Sequence, residues 1–331
     1  MNSVQILLSD THFGVRNNSI NWLESQKDFV YNQFIPYLKK LPKGDNMVIH
    51  LGDVFDSRSS ISPMICKETN LMLEKIAENC TEFIIIAGNH DFFSPIEGMD
   101  NSTSLEMLPC LWKENNIRIL YQNYWTFGVD NVFIPWFQFH NIETLKKIMK
   151  DGHQYKNVFT HTDIANLDKE TLSLLKGKDI FTGHIHIPDL QPKKGYYTLG
   201  SCFSINYQDS NSDRGFYTMK DWDAKTLEFH PNTKSLRFYR ITDEEVLDFS
   251  DYEAQDYIEL TIKDSIYERP DIQEAIKNMY STCYHFTVVI EQQEVEIESV
   301  SPETGMYTIV KNACPENLRD KLDTIVEASN Q

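Results

Sequence analysis

Met47-Val48-Ile49-His50-Leu51-Gly52-Asp53-Val54-Phe55-Asp56 is the stretch that decides the fold. A short apolar run without helical period ends in Gly-Asp. Such a run reads as a strand buried on both faces, and Gly52 lets the backbone turn sharply to present the carboxylate. The construction recurs along the chain. Val4-Gln5-Ile6-Leu7-Leu8 precedes Asp10-Thr11-His12, and Phe83-Ile84-Ile85-Ile86-Ala87 precedes Gly88-Asn89-His90-Asp91. Asn157-Val158-Phe159-Thr160 precedes His161, and Asp179-Ile180-Phe181-Thr182 precedes Gly183-His184-Ile185-His186. Between the first three runs, residues 26–40 and 62–79 have helical character. Strands alternating with helices predict a mostly parallel, layered α/β core. In such folds ligands gather beyond the carboxyl ends of the strands, so all five patches are expected to face one cleft.

The residue types say what that cleft does. Asp, His and Asn bind hard-to-borderline divalent metals through oxygen or imidazole nitrogen. Two such cations roughly 3.5–4 Å apart can clamp a phosphate and activate water. A bridging carboxylate is the economical way to hold them that close, and Asp53 is the best candidate. Asn89 can give an oxygen without adding charge. His184 and His186 stand at i and i+2, which point to opposite faces of an extended segment. Both reach the metals only through a turn, which Gly183 and Pro188 favour.

The order D-x-H, G-D-x-x-D, G-N-H-D, H, G-H-x-H resembles the calcineurin-like metallophosphoesterase pattern. Gly52-Asp53-Val54-Phe55-Asp56, Ile134-Pro135-Trp136, Leu199-Gly200-Ser201 and Asp213-Arg214-Gly215-Phe216 are similar to its DNA-repair branch. That branch is the SbcD-type nuclease subunit of the meiotic recombination eleven family, and the order of segments most resembles the recombination endonuclease subunit of tailed phages. The resemblance implies a layered β-sandwich core flanked by helices. It implies one metal held by Asp10, His12, Asp53 and His186, and a second held by Asp53, Asn89, His161 and His184. It gives His90 contact with the scissile phosphate and assistance to the leaving group, and makes Asp56 and Asp91 carboxylates that orient histidines. Two Mn²⁺ are expected, with Mg²⁺ as the substitute, because a His-rich, Asn-containing set suits Mn²⁺ better than an all-oxygen site. The implied partners are DNA, as single strands and duplex ends, an SMC-like ATPase of the Rad/SbcC type, and a second copy of the chain.

Other residues read differently. His50 lies inside a strand and is expected to be a satisfied core residue. His140, His153, His230 and His285 have no ligand-like neighbours and are expected to be structural or exposed. Trp136 and Phe137 are expected to pack under the cleft, with substrate contact as the alternative.

The 331 residues, 41% hydrophobic, allow one large domain and one small one. No apolar run approaches the ~20 residues needed to span a bilayer. The chain enters a strand directly after Met1 without a basic or apolar leader, so a cytoplasmic protein is expected. Six scattered cysteines without a C-x-x-C pair suit a reducing compartment. The net charge of −18 is unusual for a nucleic-acid enzyme, since DNA binders gain affinity by releasing counterions with basic patches. Either the substrate is small or a basic partner supplies DNA affinity, and the family resemblance favours the second.

The expected organisation is a metallophosphoesterase domain over 1–245, a small α+β capping domain over 246–291, an acidic linker over 292–302 and a helical docking segment over 303–331. Tyr257-Ile258-Glu259-Leu260-Thr261-Ile262 and Phe286-Thr287-Val288-Val289-Ile290 read as strands around a helix over 270–280. Leu318, Leu322, Ile325 and Val326 would share one face of a terminal helix, where the resemblance places ATPase docking. A stand-alone phosphatase or nucleotide phosphodiesterase is the second reading. A scaffold that regulates an ATPase is the third.

Overall fold

The computed structural model describes residues 3–42, 44–94, 102–110, 116–150, 155–242, 256–283 and 285–291, with Arg319. The linker over 292–302, His153 and the docking residues Leu318, Leu322, Ile325 and Val326 lie outside the described residues.

In chain order the strands are β1 (Val4–Leu8), β2 (Asn46–His50), β3 (Glu82–Ile86), β4 (Ile117–Leu120), β5 (Trp125–Phe127), β6 (Asn131–Phe133), β7 (Asn157–His161), β8 (Asp179–Gly183), β9 (Asp189–Gln191), β10 (Tyr196–Thr198), β11 (Gly215–Lys220), β12 (Asp223–Pro231), β13 (Phe238–Thr242), β14 (Tyr257–Lys263) and β15 (His285–Glu291). They form two six-stranded sheets, ordered β12-β11-β1-β2-β3-β4 and β5-β6-β7-β8-β10-β9, and a three-stranded sheet β13-β14-β15. β1 to β4 are mutually parallel, as are β6, β7, β8 and β10. β11, β12, β5 and β9 run antiparallel to their neighbours. The expected α/β sandwich is therefore present, with antiparallel strands at the sheet margins.

Alternation within each strand explains the layers. Ile6, Val48, Phe83 and Ile85 face a core under the flanking helices, while Leu7, Ile49, Ile84 and Ile86 face the core between the sheets. From the second sheet, Phe133, Phe159, Phe181 and Tyr197 enter the same inter-sheet core. They are register partners and stack at 4.7, 5.0 and 4.8 Å between centroids. Val158 and Ile180 face the opposite way, toward the outer helices Trp136–His140 and Ile142–Lys150. Both faces of the central strands are buried, which is why they read as continuous apolar runs.

The helices depart from expectation in one place. The segment expected to be helical over 26–40 begins earlier, at Ile20–Phe29, and passes through a π-turn at Val30–Phe34 before Ile35–Leu38. Pro36 has no N–H and its ring crowds the carbonyl one turn back, so the helical register slips there. The helix Pro63–Ala77 starts conventionally, with Pro63 at its first turn and the Ser62 hydroxyl accepting from the Ile65 amide at 3.3 Å.

The third sheet is parallel throughout and is covered by the helix Pro270–Thr282, with Ile258, Leu260, Ile262, Ile272, Ile276 and Met279 between them. It takes in β13, so the expected boundary at 245 falls between two paired strands. Tyr257 on β14 ties this unit to the main domain. Its hydroxyl accepts from the Trp22 indole at 3.2 Å, and Phe238, Trp22 and Arg16 pack on its ring or beside it.

Candidate metal centre

The carboxyl ends of β1, β2, β3, β7 and β8 converge. Beyond β1 and β2 the chains continue side by side, with Asp10 N donating to Gly52 O (3.0 Å), His12 N to Asp53 O (3.1 Å) and Phe13 N to Val54 O (2.8 Å). Four of the expected ligands take positive φ: Asp10 at 51°, His12 at 45°, Asp53 at 55° and His184 at 80°. Residues with a Cβ avoid this region, and each such placement costs about 1–3 kcal/mol that the surrounding fold must offset. The turn expected at Gly183 is made by His184 itself.

Two groups of donors abut. In the first, Asp10 Oδ1 lies 3.7 Å from His12 Nε2 and 3.9 Å from His186 Nε2, and the two imidazole nitrogens face each other at 3.1 Å. In the second, Asn89 Oδ1 lies 3.0 Å from His161 Nε2 and 2.9 Å from His184 Nδ1, and Asp53 Oδ2 is 3.3 Å from His161 Nε2. Asp53 Oδ2 is also 3.8 Å from His12 Nε2, so this one carboxylate stands between the groups. Its other oxygen accepts from the His90 amide at 2.8 Å. The i, i+2 pair thus divides, His186 going to one group and His184 to the other. Outer partners orient the rings: His161 Nδ1 meets Leu51 O at 2.7 Å, and His12 Nδ1 is 3.3 Å from Asp56 Oδ1. This donor set, imidazole nitrogens and carboxylate or amide oxygens aimed at shared points, fits borderline divalent cations.

Protonation supports the fit. Burial pulls His12 down, but the Asp10 and Asp56 carboxylates outweigh it and raise its pKa to about 10. Burial likewise opposes ionisation of His161, yet Asp53 brings it to about 9. Asp53 is pushed up by burial and further down by His161 and His12, so it stays ionised. Without a cation, protons on the imidazoles balance these buried carboxylates. A divalent cation at the same place would displace them.

Residues 6–200 match the family described as calcineurin-like phosphoesterase. The chain belongs to that family. Membership makes this calcineurin-like phosphoesterase a hydrolase that works with divalent metal, and the His/Asp groups are where metal can sit. Among solved structures, phosphopantetheinyl hydrolase from Mycobacterium tuberculosis aligns at 13% identity over 60% of this chain and 90% of its own, with a TM-score of 0.32. Nuclease MPE from Pseudomonas putida aligns at 13% identity over 67% and 85%, also at 0.32. No curated protein matches the phosphoesterase chain.

One carboxylate of the phosphoesterase centre meets partners other than those expected, while His50 is the satisfied core residue it was expected to be. Asp91 is fully buried and does not face an imidazole. Its Oδ2 accepts from the amides of Asp53 and Gly88, both at 2.9 Å, and its Oδ1 from those of Val54 (2.9 Å) and Phe55 (3.3 Å). It clamps the backbone of two ligand loops together. Burial, and then the Asp53 charge, push its pKa up to about 7 against the pull of the amides. His90 is half-buried, with Nδ1 on Asp56 O at 2.5 Å and its ring 5.0 Å from that of His12, which leaves Nε2 for other partners. His50 is buried and bonded on both sides, to Thr11 Oγ1 (3.0 Å) and the Gly52 amide (3.2 Å), and burial lowers its pKa to about 3. The neutral ring therefore supports the Asp10–Asp53 loops from below.

Asp209 was not singled out by sequence, and neighbours of the centre that were named take roles the sequence did not show. Asp209 Oδ2 lies 3.6 Å from His186 Nδ1, and Arg214 reaches the carbonyls of His186 and Asp209. Nothing near Asp209 in sequence signals this, although Asp213-Arg214-Gly215-Phe216 did mark the segment. Trp136 stands at the cleft rather than beneath it, 5.3 Å from the His184 ring and 6.0 Å from that of His161. His140, expected to be structural or exposed, is exposed and lies tilted at 43° against Trp136, with ring centroids 3.9 Å apart. Phe137 is in the core, as expected.

Proposed function

We propose that this chain is a two-metal phosphodiesterase that hydrolyses DNA with Mn²⁺, as the nuclease subunit of an assembly with an SMC-like ATPase for end processing, recombination and repair. The carrying observation is the pair of abutting donor groups with Asp53 between them. Asp10, His12, Asp53 and His186 would hold one ion, and Asp53, Asn89, His161 and His184 the other. Bound divalent cations would neutralise charge developing on the phosphoryl oxygens and lower the pKa of water. Asp91 holds the Asp53 and Gly88 backbones at fixed separation, and Asp56 and Asp209 orient His12 and His186. His90, anchored through Nδ1, presents Nε2 to the leaving oxygen as its proton donor.

The DNA-repair assignment draws on the motif details quoted above, and the ATPase, the homodimer and a cytoplasmic site of action belong to the same proposal. The test is a digestion panel with Mn²⁺ or Mg²⁺ on single-stranded DNA, duplex ends, a phosphoprotein and p-nitrophenyl phosphate mono- and diesters. Metal-dependent cleavage of DNA and the diester is expected. Turnover of the monoester or phosphoprotein alone would overturn the reading. The net charge of −18 favours a second reading, a phosphodiesterase for small nucleotides, which the same panel separates by diester cleavage without DNA cleavage.

A further inference from the structure

On the His184 side of the metal centre a cavity of about 300 Å³ opens between the helix Trp136–His140 and residues 162–171. This is the lower end of the ~300–1,000 Å³ range of ligand clefts, room for one nucleoside and not for a longer chain. Its aromatic wall is Trp136 with the His140 ring tilted against it, and His184 forms the end nearest the metal donors. The wall is rigidly set. Trp136 N donates to Ala87 O at 3.1 Å, at the end of the strand that leads to Asn89. His140 Nε2 meets Thr162 Oγ1 at 3.2 Å, and Thr162 N donates to Thr182 Oγ1 at 2.7 Å.

The opposite wall is polar but offers no cation, since no Lys or Arg is among the described residues that line it. Its two carboxylates are engaged as caps. Asp163 accepts from Ala165 N (2.9 Å) and Asn166 Nδ2 (2.6 Å), and Asp168 from Thr171 N (2.7 Å) and Thr171 Oγ1 (3.2 Å). Negative charge without a counter-cation repels a second phosphate. An aromatic platform with the exposed Asn166 amide at its rim suits a neutral planar group.

We propose that this cavity is a nucleobase subsite. It takes the unstacked base of the nucleotide whose phosphate lies at the metal centre, with Trp136 and His140 as the aromatic platform and Asn166 at the base edge. The proposal rests on the phosphodiesterase reading and deepens it: a base can enter only when it has left the duplex, so unpaired or frayed nucleotides are the substrate. Stacking is tolerant of base identity, so little sequence preference is expected.

The test compares two diesters with the same leaving group, thymidine 5′-(p-nitrophenyl phosphate) and methyl p-nitrophenyl phosphate, in Mn²⁺-loaded protein. Base–aromatic stacking of the usual strength gives the nucleoside ester an advantage of about tenfold in kcat/KM. Asn166→Trp, which fills the cavity from its exposed rim, and Trp136→Ala should each bring that ratio toward one, chiefly through KM. A change that merely disturbs the metal centre lowers both esters and keeps the ratio. A wild-type ratio of one, or a ratio unmoved by both variants, overturns the subsite and leaves the phosphodiesterase reading standing. Saturation-transfer NMR with thymidine on metal-free protein provides the converse. Saturation of the base protons that disappears in Asn166→Trp supports the subsite even where neither ester is cleaved, an outcome that would overturn the phosphodiesterase reading instead.

Discussion

Gly52→Ala probes the centre through its backbone, and Gly44→Ala is its matched control. The two glycines share nearly the same conformation, φ 103° and 97°. They differ in what a methyl group would meet. At Gly44 nothing lies within 4 Å, whereas at Gly52 a Cβ would stand 2.6 Å from His161 Nδ1 and 2.8 Å from both Cα and N of Gly88. Gly44→Ala therefore measures the cost of positive φ alone, about 1–2 kcal/mol. Gly52→Ala carries that cost plus overpacking against backbone that cannot move freely, about 1–3 kcal/mol more. The same methyl pushes the His161 imidazole off Leu51 O, the bond that fixes its ring. Loss of such an orienting partner lowers metal affinity about 10–100-fold. Guanidinium unfolding of the metal-free proteins reads the first difference, since the midpoint shifts at constant slope. Calorimetric Mn²⁺ titration reads the second. Equal destabilisation by both substitutions, or wild-type Mn²⁺ affinity in Gly52→Ala, would refute the steric argument.

Asp53→Ala should lose both ions, because its carboxylate stands between the donor groups; calorimetry showing one undisturbed ion would sink the bridging role. His90→Asn should keep both ions while hydrolysis falls about 10²-fold or more, a usual general-acid contribution; an emptied metal site would show that His90 is a ligand. The metal-free protein should lose stability as pH rises from about 6.5 to about 10. The folded pKa of His12 is raised to about 10, so its stabilising charge is fully present below 6.5 and gone above 10. Thermal melts across that range check this, and Mn²⁺, which replaces the protons, should flatten the profile and release them on binding. Deleting residues after Val300 should spare Mn²⁺-dependent cleavage of short single strands and abolish capture of an SMC-like ATPase; a truncated protein that binds the ATPase normally, or fails to fold, contradicts a docking role for the tail.

What the sequence made legible was chemistry carried by a side chain and announced by its own strand. Asp10, Asp53, Asn89, His161 and His184 follow apolar runs, and parallel pairing delivers the ends of those runs to one place. The need for a turn at His184 and His186 was legible from their i, i+2 spacing, and His184 makes it at a φ of 80°; their division between the two donor groups was implied only by the family resemblance. What stayed hidden depends on which backbone a side chain meets. Asp91 reads like the other carboxylates of the patches, yet it binds amides from residues 36 to 38 positions earlier. β11 reaches β1 across more than two hundred residues, and that antiparallel return brings Arg214 to the His186 carbonyl. The same distinction explains the positive φ values. A lone Asp or His gives no sign that it will be forced into a left-handed conformation. Asp10 and Asp53 are held there because their loops hydrogen-bond each other and Asp91 grips the second loop. The strain at the centre is thus a property of the assembled loops, and removing the grip, not the ligand, is what should release it.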